Sequence, residues 1–181
     1  MTFKQTILLF GIIILVSILF GCVNNNSDKS SYTNLKPGHG VVGDSEFELE
    51  SGWYQKPISG NEYEANFNFN KTDSKNVIFM RLTQFNSKSE YEKDYGVVSQ
   101  PTSTWIVQSS EIESIEGLNV KTVKLSRKDD TETIKYYFFE KTEKYYKVLI
   151  DMGGYNGSQS YFDEHKYLVD STIKKIILTI H

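Results

Sequence analysis

Cysteine occurs once in these 181 residues, and proline and histidine three times each. With Cys22 the lone thiol, no disulfide can form within the chain, so its fold must stand on a hydrophobic core. The histidines, His39, His165 and His181, lie far apart, and none has a second histidine or a cysteine at ligand spacing, which argues against a zinc site. Basic charge is not in surplus either: 20 Lys and Arg stand against 23 Asp and Glu, a formal net charge of −3, which argues against a nucleic-acid partner. Scarce proline, evenly spread charge, twelve Tyr and eleven Phe describe a folded, β-rich chain rather than a disordered one.

The chain has one long apolar run, Ile7 to Phe20 (ILLFGIIILVSILF), preceded by the single charge of Lys4 and followed by Gly21 and Cys22. Fourteen helical residues rise about 21 Å, short of the ~30 Å hydrocarbon core of a bilayer. The run therefore reads as an export signal covering residues 1–21. Its end, Leu19-Phe20-Gly21-Cys22, resembles the lipobox of prokaryotic lipoproteins. That resemblance implies cleavage after Gly21 and acylation of Cys22, with a membrane lipid anchor as the first partner. An uncleaved signal anchor is the other reading, since the run extended through Val23 reaches the lower length limit of a span. Both readings put the remainder of the chain outside the cytoplasm.

Residues 22–40 (CVNNNSDKSSYTNLKPGHG) are poor in apolar side chains and read as a hydrated tether, which leaves residues 41–181 as a single domain. Asn25, Asn70 and Asn156 each begin an N-x-S/T sequon.

Within the domain, Val41 to Leu49 reads as a first strand, with a turn at Ser51-Gly52 before Trp53 and Tyr54. Tyr63, Ala65, Phe67 and Phe69 alternate with Glu and Asn, the pattern of a strand with one wet face. Asn76 to Phe85 (NVIFMRLTQF) is apolar on both faces, as in a central strand covered on two sides. Ser87 and Glu90 form a capping box opening a short helix over 88–95. Four strand-like segments come next, at 104–112, 118–126, 132–140 and 145–152, and their links are too short for parallel crossovers, so they read as a meander. A last helix carries Tyr161, Phe162, His165, Leu168, Val169, Ile173, Ile176 and Ile177 on one stripe, with Ser158 or Ser160 as N-cap. The expectation is an α+β domain, an antiparallel sheet of six to seven strands with helices packed against it.

The stretch Phe47 to Trp53 (FELESGW), the Glu116-Gly117 turn and the closing helix through Ser171 to Ile176 resemble the Mog1/PsbP-like fold, and within it small prokaryotic lipoproteins that carry a PsbP-related domain. The resemblance covers about residues 41 to 180. It implies an α/β/α sandwich in which a Gly-Trp turn opens the sheet and the last helix seals it. The better-known members are binding or assembly factors, so it brings no active site with it.

Several groups are worth locating. Gly153, Gly154, Asn156, Gly157 and Ser158 lie between a strand and a helix, where free amides can hold a phosphate or carboxylate; a plain turn is the other reading, since the lysine of a P-loop and the spacing of a dinucleotide fingerprint are both missing. Tyr137, Phe139 and Tyr146 share one face of a hairpin; uncovered, that face would suit a protein, glycan or membrane surface, and covered it is core beneath a helix. Asp129-Asp130 with Glu132 would meet a cation or simply a solvated turn. His165 would pair with Asp151 or a Tyr hydroxyl, as a structural histidine or as part of a cleft with Tyr155. There is no G-x-S-x-G nucleophile elbow and no cofactor motif. The leading expectation is a non-enzymatic, membrane-tethered binding or assembly module without a cofactor, displayed to a protein partner at the cell surface. The alternative is an exported hydrolase or solute-binding receptor using a cleft near the 153–158 loop.

Overall fold

The computed structural model describes residues 38–56, 60–69, 77–153 and 157–181. The signal segment, Cys22, the tether as far as residue 37, the three sequon asparagines and residues 154–156 of the glycine-rich loop lie outside the described residues.

Among the described residues nine strands and three helices succeed one another: β1 (His39–Val42), β2 (Ser45–Glu48), β3 (Trp53–Gln55), β4 (Glu64–Phe69), β5 (Val77–Phe85), α1 (Lys88–Val98), β6 (Trp105–Ile115), β7 (Leu118–Arg127), β8 (Glu132–Lys141), β9 (Lys144–Gly153), α2 (Ser158–Glu164) and α3 (Lys166–Thr179). Seven of the strands form one antiparallel sheet in the order β3-β4-β5-β9-β8-β7-β6, and β1 and β2 make a separate hairpin. The meander expected of the last four strands is present, and β5 sits inside the sheet between β4 and β9. This is the α+β architecture expected from the sequence.

The first strand departs from expectation. Val41 to Leu49 is not one strand but a hairpin, β1 and β2, turning at Gly43-Asp44, and β1 starts at His39, two residues inside the stretch read as tether. Gly43 has φ +55, which a glycine adopts at little cost and which lets the chain reverse inside an otherwise alternating run.

One sheet face carries the main core. Ile78, Met80 and Leu82 of β5, with Tyr146, Val148, Ile150 and Met152 of β9, are buried there against Val169, Ile173, Ile176 and Ile177 of α3, with Phe47 of the hairpin in the same cluster. The indole N–H of Trp53 donates to Thr172 Oγ1 at 3.0 Å, tying the Gly-Trp turn to the closing helix. The side-chain amide of Gln55 bonds both ways with the backbone of Val41, N–H to Oε1 at 2.8 Å and Nε2 to carbonyl at 2.9 Å, which stitches the hairpin to β3. Lys141 seals the other end of α3 by donating to the carbonyls of Ile177 and Leu178.

On the opposite face α1 lays Tyr91 and Tyr95 on the sheet. Tyr91 meets Phe85, Phe138 and Tyr145 with ring centroids 5.5–5.9 Å apart, and Lys121 and Lys147 reach Glu92 and Asp94 on the helix flanks. The Ser87 cap is as expected, its hydroxyl accepting from Glu90 N–H. The helix runs on past Gly96 to Val98, because the Ser99 hydroxyl and N–H both return to the Tyr95 carbonyl.

The last helix is broken in two. His165, with φ −99 and ψ 11, separates α2 from α3. The apolar stripe survives the break, since Phe162, Val169, Ile173, Ile176 and Ile177 are all buried.

Candidate functional site

Three turns gather polar and aromatic side chains at one end of the sheet. The Gly43-Asp44 turn is pinned by Gly43 N–H to the Glu62 carbonyl at 2.8 Å, and Gln84 N–H bonds the Tyr63 carbonyl at 2.9 Å. Thr142 and Glu143, which join β8 to β9, both have positive φ, 50 and 63, the geometry of a type I′ hairpin turn, and this places Lys144 at the start of β9. Between these turns lies a pocket of about 320 Å³. Its apolar part is Tyr63, Phe85 and Tyr145, and its polar part is Asp44, Gln84, Asn86, Glu143 and Lys144.

Two of the charges in the pocket, Asp44 and Lys144, are paired with each other. Asp44 Oδ1 accepts from Gln84 Nε2 at 2.7 Å and lies 3.1 Å from Lys144 Nζ. The Gln84 hydrogen bond first and the Lys144 contact second hold the Asp44 carboxyl below its ordinary value, against a small opposing desolvation. Lys144 Nζ also donates to Ser45 Oγ at 3.0 Å, and Ser45 shares a hydrogen bond with the Tyr146 hydroxyl at 2.8 Å. Gly43 is needed for its close approach as well as its φ: a Cβ there would stand 2.6 Å from Gln84 Oε1 and 3.0 Å from Tyr63.

A serine beside a lysine invites a nucleophilic reading, and two facts oppose it. Ser45 is fully buried, so no substrate reaches it, and Lys144 Nζ is already engaged by both Asp44 and Ser45. The arrangement presents donors, acceptors and rings to one small volume.

The residues singled out from the sequence lie elsewhere. Lys144 to Gly153 spans β9, so Gly153 is roughly 27–30 Å along the strand from the pocket. There Asp130, at the tip of the β7–β8 hairpin, caps α2: its carboxylate accepts from Gly157 N–H at 3.1 Å, Gln159 N–H at 3.1 Å and the Ser158 hydroxyl at 3.0 Å. An internal carboxylate thus already takes the place an external anion would occupy. Ser158 is not the cap but the first helical residue, buried, with its hydroxyl 2.8 Å from Thr133 Oγ1; Gly157, at φ 96, holds the N-cap position. Gly153 brings a further obstacle to an anion, because a Cβ there would lie 3.5 Å from the Glu132 side chain and 3.6 Å from Asp151 Oδ1, two acids flanking the same glycine. Burial first, then the Glu132 charge and a hydrogen bond with it, push the Asp151 carboxyl up to about 7.

Asp129 behaves as a turn residue, accepting from Thr131 N–H and hydroxyl. His165 pairs with neither Asp151 nor a Tyr hydroxyl; its Nδ1 lies 2.9 Å from the Tyr161 carbonyl and its ring packs on Tyr161 at 4.2 Å. Tyr137, Phe139 and Tyr146 form no outward patch. All three are buried on the α3 face of the sheet, with Phe139 stacked on Tyr146 at 5.3 Å, so the covered-core reading of that hairpin is the correct one. The cause is the packing of α3 and the β1–β2 hairpin on that face. Among the described residues no group of three or more His, Cys, Asp or Glu side chains is placed to hold a metal ion, and no helix is long and apolar enough to cross a membrane.

Sequence reasoning missed the pocket because its members come from four distant segments, Asp44, Tyr63, Gln84 to Asn86 and Glu143 to Tyr145. The one local signal available was the Gly43-Asp44 dipeptide inside an alternating run.

No family model matches the chain, and no curated protein matches it. Solved structures do resemble it, all at low sequence identity. PsbP (CyanoP) from the cyanobacterium Synechocystis is 13% identical, with 82% of this chain and 98% of that chain covered and a TM-score of 0.46. LpqN of Mycobacterium tuberculosis, described as involved in cell envelope biogenesis, is 10% identical over 70% of this chain and 80% of that one, with a TM-score of 0.45. A protein of unknown function from Pseudomonas aeruginosa, described as a putative regulator, is 8% identical over 75% and 92%, with a TM-score of 0.44. The likeness of the chain to these is one of fold alone.

Proposed function

We propose that this chain is exported and held at the outer face of a membrane through Cys22, and that its α+β domain is a non-enzymatic binding or assembly module. The observation that carries the binding half is the pocket between the Gly43-Asp44 turn and the β8–β9 turn. It collects hydrogen-bonding groups and aromatic rings around a lysine already spent on Asp44 and Ser45. The export half is supported by the apolar run ending in Leu19-Phe20-Gly21-Cys22. A tether raises the effective concentration of the domain toward anything else bound to the same membrane.

The test is expression of the full chain and its Cys22→Ser variant in a bacterial host, with fractionation, intact mass and an assay on chromogenic esters. The expected result is loss of residues 1–21, an added acyl mass, release of the Cys22→Ser protein from the membrane and no ester turnover. An unmodified full-length mass would replace the lipid anchor by a signal anchor. Ester turnover that disappears in Lys144→Met would replace the binding module by a hydrolase.

A further inference from the structure

We infer that the pocket bounded by Asp44, Gln84 and Lys144 takes a neutral, hydroxyl-rich ring, a single sugar unit, with any neighbouring units running out into solvent. The inference rests on reading this site as a binding site, and it names the ligand that reading leaves open.

Charge decides first. The pocket holds two carboxylates, Asp44 and Glu143, and one ammonium, Lys144. An anion entering it meets both carboxylates, and the cation that would receive it is already paired with Asp44 at 3.1 Å. A cation meets Lys144, and the Phe85 ring that would attract it already has Lys147 Nζ 5.5 Å from its centroid. An anion would have to break the Asp44–Lys144 pair, and a cation drawn to Glu143 would lie beside the Lys144 ammonium, whereas an uncharged ligand does neither.

Hydrogen-bonding capacity decides next. A carboxylate offers only acceptors, an ammonium only donors and an amide both. Asp44 and Glu143 thus bring acceptors, Lys144 donors and the Asn86 amide both, and a vicinal diol, in which each hydroxyl gives and takes, can match that mixture. Tyr63, Phe85 and Tyr145 supply the ring surface on which the C–H face of a pyranose rests. A volume of about 320 Å³ accommodates one such ring, at the lower end of ligand-pocket sizes.

Saturation-transfer NMR tests this on the full chain extracted in a polyoxyethylene detergent, which carries no sugar. The probes are glucose and N-acetylglucosamine, with glucosamine as the cationic control and glucuronate as the anionic one. The two neutral sugars are expected to bind with a dissociation constant of about 1–10 mM, the scale for ligands this small. Each charged sugar is expected to bind at least several-fold more weakly. Lys144→Met removes the one cation, and is expected to shift preference toward glucosamine. Asn86→Ala, at an exposed position, leaves the fold unchanged by circular dichroism and is expected to weaken neutral-sugar binding several-fold.

Absence of saturation with both neutral sugars overturns the inference, as does saturation that Asn86→Ala leaves untouched. Preference for either charged sugar in the wild type also overturns the ligand class while leaving a binding site in place. Ester turnover lost in Lys144→Met is the different failure, that of the binding reading itself.

Discussion

Asp151 gives the sharpest quantitative test of the structure. It lies near the end of β9, half-buried, with Glu132 beside it across Gly153, and its carboxyl is raised from 3.8 to about 7. The other charged groups nearby are Arg127, 3.6 Å from Glu132, and Arg81, one strand over on β5; the Tyr136 hydroxyl is itself pushed up to about 12, by burial first and then by Asp94, Asp151 and Glu132. A carboxyl raised on folding binds its proton more tightly in the native state than in the unfolded one. Its contribution is therefore complete below about pH 4, falls as pH rises and is gone above about pH 7. Three units correspond to about 4 kcal/mol at most, and partial solvent exposure reduces this to roughly 2 kcal/mol. Asp151→Asn keeps a donor toward Glu132 and removes the titration. Urea unfolding of wild type and variant at pH 4, 6 and 8, monitored by far-UV circular dichroism, should show near-equal stability at pH 4 and a variant more stable by roughly 2 kcal/mol at pH 8. Comparing the two proteins cancels every group they share. A constant difference across the pH range, or a variant less stable at pH 8, would refute the assignment of a proton shared between Asp151 and Glu132.

Three further outcomes are expected from the packing. Asp130→Ala uncaps α2 and leaves two amides and the Ser158 hydroxyl without their carboxylate, a loss of about 1–2 kcal/mol in urea unfolding. Thr172→Val strands the buried Trp53 N–H, at a cost of about 1–3 kcal/mol that should appear together with a shifted tryptophan fluorescence maximum. Gly43→Ala forces a Cβ against Gln84 Oε1 at a positive φ; a loss of at least about 1 kcal/mol is expected, with the chemical shifts of Tyr63 and Gln84 moving as the Gln84–Asp44 hydrogen bond is displaced.

Much of the architecture could be read from local pattern. The alternation in β4, the two-sided apolar run of β5 and the short links of β6 to β9 each specify a strand and, through link length, its antiparallel neighbour. The stripe through Val169, Ile173, Ile176 and Ile177 likewise announces a helix with one buried face. Periodicity does not say which face of a sheet a helix will cover. The β8–β9 hairpin carries aromatics on both faces, so Tyr137, Phe139 and Tyr146 became core only when α3 packed over them. In the same way, Gly157 and Ser158 look like an open anion site along the chain, and only the return of the β7–β8 tip brings Asp130 there to close it.

By itself, then, the sequence determined the α+β class and the meander, because each depends on local pattern or on contacts between near neighbours in the chain. The tertiary structure alone decided the pocket. Asp44 and Lys144 are one hundred residues apart in sequence, and what joins them is the folding of the β1–β2 hairpin onto the end of the sheet where β5 finishes and β9 begins. Site chemistry of this kind depends on side chains meeting in space, and no local pattern records which distant side chains will meet.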